Sequence, residues 1–159
     1  MIIAFTDGAC LGNPGPMGIG IVVYRDGMIV EELSEYIGHG TNNIAEYTAI
    51  IKALETVHSM GDIEVHIKSD SELIVRQLNN EYKVKDPKLA PLKEAVDKLC
   101  NGIKVSFEHI PREKNSIADG LSKEGAEIGK KREKENARTN LGGKSGIRNQ
   151  TKKGQTRLS

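Results

Sequence analysis

The sequence contains no tryptophan, and aromatic residues make up only 4% of its 159 residues. A binding surface that depends on stacked tryptophan rings is therefore excluded. A ligand would have to be held mainly by hydrogen bonds and charge.

Cysteines and long apolar runs are also scarce. Cys10 and Cys100 could form one disulfide at most, which is too few for the framework of a small secreted protein, so we expect reduced thiols. No apolar stretch approaches the roughly 20 residues that span a bilayer, and no basic region precedes the apolar residues at the amino terminus. We expect a soluble, cytoplasmic, monomeric protein without membrane contacts.

The 37% of apolar residues suffices for one compact core, and the charges are unevenly distributed. Residues 130–159 contain ten Lys and Arg against two Glu, whereas residues 1–129 contain 13 basic and 20 acidic residues. We therefore expect one folded domain at 1–129 and a basic, disordered tail at 130–159 that contacts phosphates. A merely solubilising tail is the alternative.

Strand patterns dominate the first half of the sequence and helical patterns the second. Apolar runs bounded by glycine turns indicate strands, and apolar residues spaced three or four apart indicate helices. The predicted strands are 1–6, 18–24, 28–37, 63–69 and 103–110; the predicted helices are 44–59, 71–80, one opened by Pro87 and Pro91 that runs to about residue 100, and one from about Ser116.

This order of elements predicts an α/β fold. Three consecutive strands joined by short turns form an antiparallel unit. Helices then separate the fourth and fifth strands, which favours a parallel orientation of both relative to the first. We expect a five-stranded mixed sheet flanked by helices.

Four carboxylates stand at the ends of these elements. Asp7 and Asp70 follow the first and fourth strands, and Glu46 and Asp119 lie near helix starts, so all four should meet at one edge of the sheet. Clustered carboxylates repel each other unless cations bind, and hard oxygen ligands suit Mg²⁺ or Mn²⁺. Two such ions can promote in-line displacement at a phosphodiester.

Local structure offers another explanation for each acid. An acid after a strand and before Gly8 can begin a turn, which applies to Asp7. The other acids lie in patterns that resemble helix starts. These patterns are Asn43-x-x-Glu46, Ser69-x-x-Glu72 around Asp70, and Ser116-x-x-Asp119. Taken singly, each of these three acids is better explained as part of a helix start than as a metal ligand.

The sequence around the acids resembles the type HI ribonuclease H family over residues 1–125. Four segments carry the resemblance, in the family's order, and each contains one of the four acids. They are FTDGACLGNPGP at 5–16, TNNIAEY at 41–47, KSDS at 68–71 and PREKNSIAD at 111–119.

The resemblance implies a ribonuclease H-like fold, with a catalytic domain at 1–129 that cuts the RNA strand of RNA–DNA hybrids and leaves 5′-phosphate and 3′-hydroxyl ends. It implies two divalent ions held by Asp7, Glu46, Asp70 and Asp119. It also implies hybrid contacts from Cys10, Asn13, Thr41, Asn42 and Asn43. Polar side chains of this kind can hydrogen-bond the 2′-hydroxyl, the group that distinguishes RNA from DNA.

Two departures from the family pattern stand out. Many members have a histidine in the loop before the last acid, where this sequence has 110–114 without one. Arg112 is our candidate for a catalytic role there, as a phosphate ligand, whereas His109 is expected to end the fifth strand. The second departure is a missing basic protrusion, because only 81–86 separates the second and third helices. The basic tail is a candidate substitute.

Two rival functions remain open at this point. The protein could bind hybrids or double strands with little or no turnover, although the four acids argue against this. It could instead be a nuclease of the same fold that acts on double-stranded RNA or a DNA junction. The segments 10–13 and 41–43, which match hybrid-binding members, argue against that substrate.

Overall fold

The computed structural model describes residues 1–142, and within them it forms one mixed sheet with helices on both faces. The order of elements follows the sequence prediction, with one added 3-10 turn at Arg112–Lys114. The strands are β1 (Ile2–Cys10), β2 (Gly15–Arg25), β3 (Met28–Gly40), β4 (Glu64–Ser69) and β5 (Lys104–His109); the helices are α1 (Asn42–Ser59), α2 (Glu72–Leu78), α3 (Ala90–Leu99) and α4 (Ser116–Gly142).

The sheet has the order β3-β2-β1-β4-β5. β1, β2 and β3 pair antiparallel, whereas β4 pairs parallel with both β1 and β5. The predicted five-stranded mixed sheet flanked by helices is therefore confirmed. Because β1 and β4 are adjacent and parallel, their carboxyl ends lie at the same edge.

Helices α1 and α4 cover opposite faces of β1 and β2. Ile19 and Ile21 of β2 point into the main core, where they join Tyr47 and Ile50 of α1. Gly18 and Gly20 alternate with these residues and therefore face α4. α3 packs against α1, and α2 lies beside β5.

The α4 backbone lies directly on β2, without side chains between them. A Cβ atom on Gly20 would lie 2.1 Å from the carbonyl oxygen of Ala118, and one on Gly18 would lie 2.2 Å from the nitrogen of Ala126. This close approach fixes the start of α4, and with it Asp119, relative to β1 and β2.

The last helix extends beyond its expected end. α4 continues to Gly142, so the prediction of a disordered tail from residue 130 is wrong for 130–142. Contacts with β3 stabilise the added turns, because Tyr36 Oη donates to Glu133 Oε2 at 2.9 Å and His39 Nδ1 lies 3.1 Å from Glu133 Oε1. The rest of the predicted tail, 143–159, lies outside the described residues.

Strand β1 is also longer than the predicted 1–6, because its antiparallel pairing with β2 continues to Cys10 opposite Met17. As to membranes, none of the helices within residues 1–142 is both long and apolar enough to cross a bilayer.

Replacing Gly20 with alanine should lower the free energy of unfolding by about 1–3 kcal/mol, because the added methyl group would collide with the α4 backbone. Urea denaturation at neutral pH measures this change. Gly120→Ala is the matched control, since Gly120 is an exposed residue of α4 and an added methyl group there would have no neighbour within 4 Å. It should stabilise the protein by about 0.5–1 kcal/mol. Equal effects of the two substitutions would contradict this packing.

Candidate active site

Parallel pairing brings Asp7 and Asp70 to one edge of the sheet. The last paired residues of β1 and β4 are Thr6 and Ser69, so each aspartate is the next residue along its strand. β1 itself continues past Asp7, which rules out the alternative that Asp7 begins a turn.

Helix α1 adds Glu46 to these two aspartates. A Cβ atom on Gly8 would lie 2.3 Å from the carbonyl carbon of Ala45, so α1 touches the β1 backbone directly at this point. The backbone N–H of Gly8 donates to Glu46 Oε1 at 2.9 Å. This hydrogen bond orients the carboxylate towards the end of the parallel pairing.

Asp7, Glu46 and Asp70 form a compact cluster. One carboxylate oxygen from each lies within 4.8 Å of the others. Asp119, in the first turn of α4, lies beside Asp7, because Ser122 Oγ contacts both Asp7 Oδ2 and the carbonyl oxygen of Asp119. The Asp119 carboxylate pairs with Lys123, whose Nζ lies 3.0 Å from Asp119 Oδ2. The structure therefore brings three of the four predicted acids together and places the fourth at their side.

The helix-start explanation is wrong for Glu46 and Asp70. Thr41 caps α1 by accepting from the backbone N–H of Ile44, and Glu46 is the fifth residue of the helix rather than part of its first turn. Ser71 caps α2 in the same way. Neither acid serves as a cap, so both carboxylates are available to a ligand.

Burial and mutual repulsion make this cluster costly in its charged form. Burial raises the pKa of Asp7 to about 7; a hydrogen bond from Ser122 opposes the shift, and the charge of Asp70 adds to it. Burial also raises the pKa of Glu46 well above its ordinary value, with the charges of Asp7 and Asp70 adding to the effect. A bound cation would remove this cost.

Ser122 and Asn115 hold two of the acids in place. Ser122 Oγ donates to Asp7 Oδ2 at 2.7 Å and lies 2.8 Å from the carbonyl oxygen of Asp119, an alternative acceptor for the same proton. Asn115 Nδ2 donates to the carbonyl oxygen of Thr6 at 2.9 Å and to Asp70 Oδ2 at 3.3 Å. Asn115 therefore links the end of the parallel pairing between β1 and β4 to the start of α4.

Asn115 and Ser122 are functional candidates that the sequence analysis missed. Asn115 is 1% exposed and Ser122 is fully buried. The sequence contains a signal for each of them. Asn115 lies inside the fourth resembling segment, and Ser122 follows Asp119 by three residues, on the same side of a helix. Asn115 Oδ1 is buried and accepts no hydrogen bond from the described residues.

The predicted substrate-binding residues lie in two neighbouring segments, the loop after β1 and the start of α1. Asn13 Oδ1 accepts from the backbone N–H of Asn42 at 3.1 Å, and Cys10 Sγ lies 3.1 Å from the carbonyl oxygen of Gly40. The loop after β1 is thus tied to the start of α1, where Thr41 and Asn43 also lie. Their contacts with substrate remain a prediction.

Arg112 and His109 occupy the positions expected for them. His109 is the last residue of β5. Arg112 begins the 3-10 turn before α4, and its positive charge makes a small contribution that lowers the pKa of Glu46. Its predicted contact with a phosphate is not tested by these positions and stays a prediction.

The cluster suits divalent cations. Its donors are all carboxylate oxygens, and hard cations such as Mg²⁺ and Mn²⁺ favour such donors over sulfur or imidazole. The raised pKa values show that the uncompensated charges are unfavourable, which a cation would reverse. The residues present therefore fit a divalent metal centre.

Comparisons with known proteins agree with this fold. The family described as "Reverse transcriptase-like" matches residues 5–125. The Ribonuclease HI of Halobacterium salinarum is 40% identical over 123 residues, which are 76% of this chain and 62% of the relative. A bifunctional protein of Mycobacterium tuberculosis is 35% identical over 124 residues, but this chain spans only 34% of its length.

A solved structure of a ribonuclease H is also similar to this chain. The crystal structure of LC11-RNase H1 in complex with an RNA/DNA hybrid matches with a TM-score of 0.77 and 44% sequence identity, over 80% of this chain and 98% of that one. That protein was isolated from compost by a metagenomic approach. The chain belongs to the ribonuclease H family, type HI.

Without metal, the stability contributed by Asp7 should fall as pH rises. Asp7 has a folded-state pKa of about 7 against an ordinary value of 3.8, so the folded protein keeps a proton that the unfolded chain has already lost. The loss of folding stability caused by ionising buried Asp7 is absent below pH 4 and complete above pH 7. In EDTA, Asp7→Asn should therefore exceed the wild type in stability by on the order of 1–3 kcal/mol at pH 8 and show little gain at pH 4.

Urea denaturation across this pH range measures the difference. Glu55→Gln, which changes an exposed acid of α1, is the control and should show no comparable trend. A stability difference between Asp7→Asn and wild type that stays constant with pH would contradict the raised pKa of Asp7.

Replacing Asn115 with leucine should weaken Mn²⁺ binding by about tenfold, because loss of the amide frees Asp70 to leave its ligand position. Calorimetric titration of Mn²⁺ measures the affinity directly. Tyr47→Phe is the control, since it removes a buried hydrogen bond to Gln77 that involves none of the acids. If both variants bind Mn²⁺ like the wild type, Asn115 does not position Asp70.

Proposed function

We propose that this protein is an endoribonuclease that hydrolyses the RNA strand of RNA–DNA hybrids with two divalent ions, leaving 5′-phosphate and 3′-hydroxyl ends. The observation that carries the proposal is the convergence of Asp7, Glu46 and Asp70 within 4.8 Å, with Asp119 linked to Asp7 through Ser122. These acids belong to four separate segments that resemble one family. The similar LC11-RNase H1 was solved with an RNA/DNA hybrid, which supports the choice of substrate.

The four carboxylates would hold the ions. Asp7, Glu46 and Asp70 offer a shared position, and Asp119 stands next to it. Bound there, Mg²⁺ or Mn²⁺ would stabilise the negative charge that develops on a phosphodiester during displacement. Asn115 and Ser122 would keep Asp70 and Asp7 oriented for this role.

The remaining site residues would bind and orient the hybrid. Arg112 carries a permanent charge and can hold a phosphate, although it cannot act as a general base. Asn13, Thr41 and Asn42 present polar groups and a helix N-terminus to the minor groove, where 2′-hydroxyls are exposed. Cys10 and Asn43 lie on the same surface. This arrangement would select the RNA strand through its sugar.

The cellular setting is likewise a proposal. Cys10 and Cys100 are both free thiols, which supports a reducing compartment such as the cytoplasm. We propose that the protein acts there as a monomer, because the acidic cluster draws all of its residues from one chain.

Cleavage of an end-labelled RNA–DNA hybrid tests the function. With Mg²⁺ or Mn²⁺, the wild type should cut only the RNA of the hybrid and leave single-stranded and double-stranded RNA intact. Asp70→Asn should lose at least about a hundredfold in rate, because it removes a charged ligand from the cluster. Asp97→Asn, which changes an exposed acid on α3, should cleave like the wild type.

Two outcomes would contradict the proposal. A hybrid that is bound but left intact in both metals would make the protein a binding module. Faster cleavage of double-stranded RNA than of the hybrid would assign another substrate to the same acids.

A further inference from the structure

The C-terminal half of α4 forms one wall of a groove beside the predicted substrate-binding loop. The groove has a volume of about 650 Å³. Leu11, Gly12 and Pro16 line one side, and Lys130 and Lys134 line the other. The loop that bears Cys10 and Asn13 therefore faces two lysines across an open channel.

These lysines share a helix face with Asp119. At about 100° and 1.5 Å per residue, Lys130 lies about 20° around the helix from Asp119 and Lys134 about 60°, at axial distances of about 16 and 22 Å. These distances are shorter than one turn of a duplex, which is about 34–36 Å. A duplex held at the acids can therefore also reach the groove.

The charge of this part of α4 is mostly positive. Residues 130–140 contain five Lys and Arg against Glu133 and Glu135. Glu133 lines the groove as well, but its carboxylate already accepts from Tyr36 Oη and lies beside His39. Its charge is directed towards β3, so Lys130 and Lys134 dominate the groove.

We propose that Lys130 and Lys134, with the 11–16 segment opposite them, form a phosphate-binding groove that holds the hybrid beyond the acidic cluster. The inference rests on the proposed function for the identity of the duplex. Lysine side chains four residues apart stand about 6 Å apart along the helix and can contact separate phosphates. Gly12, which lines the groove, is the neighbour of Asn13 in the chain, so a duplex bound at the Asn13 loop would lie beside the groove.

This groove would supply the grip that other family members take from a basic protrusion. Because α4 is anchored to β3 through Glu133, the lysines are presented by a fixed helix rather than by a loose tail. A preorganised contact of this kind binds at a lower entropic cost than a segment that must first become ordered.

The salt dependence of binding tests the groove. The full-length chain, with Asp70→Asn to prevent cleavage, is titrated onto a fluorescein-labelled hybrid of about 20 base pairs, and Kd is measured between about 50 and 200 mM NaCl. Lys130→Gln with Lys134→Gln should reduce the steepness of log Kd against log salt by about 1.8, or 0.9 per lost phosphate contact.

Two controls separate this site from general charge effects. Lys98→Gln with Lys104→Gln removes two charges from exposed positions on α3 and β5, far from β3 in the sheet order. Lys131→Gln removes one charge from α4 at a residue that does not line the groove. Both should leave the slope unchanged to within about 0.3.

Two results would contradict the proposed phosphate-binding groove. One is an unchanged salt-dependence slope in the Lys130/Lys134 variant, and the other is an equal reduction of that slope in the Lys98/Lys104 variant. The proposed function fails separately, in a cleavage assay of the chain with Asp70 intact. If that chain leaves hybrids uncut while the Lys130/Lys134 substitutions still reduce the slope, the groove binds nucleic acid but the protein is not a nuclease.

Discussion

The backbone of β1 at Gly8 lies so close to α1 that a Cβ atom would meet the carbonyl carbon of Ala45 at 2.3 Å. The rest of the site depends on this contact. It lets the Gly8 N–H reach Glu46 and brings that carboxylate to the strand that carries Asp7. α4 makes an equally close contact with Gly18 and Gly20 on the other face, which fixes Asp119. Two helices that touch the sheet backbone directly, with no side chains between helix and sheet at these points, thus position acids around the end of the parallel pairing.

Placing these carboxylates close together has an electrostatic cost, and that cost indicates what the site binds. Burial and the charges of neighbouring acids raise the pKa values of Asp7 and Glu46. The hydroxyl of Ser122 offsets part of the cost at Asp7, and the Gly8 N–H and the charge of Arg112 offset part of it at Glu46. A purely structural site could hold neutral groups in place of such acids. Their presence in a polar cluster is best explained by a cation that enters during function.

The five-stranded mixed sheet and the meeting of Asp7 with Asp70 were predicted from the sequence, because strand patterns and helical crossovers leave few topologies. The predicted ends of the helices and strands were less accurate. α4 continues past residue 129 because Tyr36 and His39, about 95 residues earlier, hold Glu133, and no local pattern reports such a contact. Asn115 was missed although it lies inside the fourth resembling segment, because its importance depends on partners on β1 and after β4 that only the fold brings together.

Anomalous diffraction from crystals soaked in Mn²⁺ would test most directly whether the acids form a metal centre. We expect density within about 2 Å of carboxylate oxygens of Asp7, Glu46 and Asp70 together, with Asp119 turned away from Lys123 towards a second ion. Crystals that show no density at this cluster under saturating Mn²⁺, or show it only at exposed acids elsewhere, would contradict a metal centre at these acids.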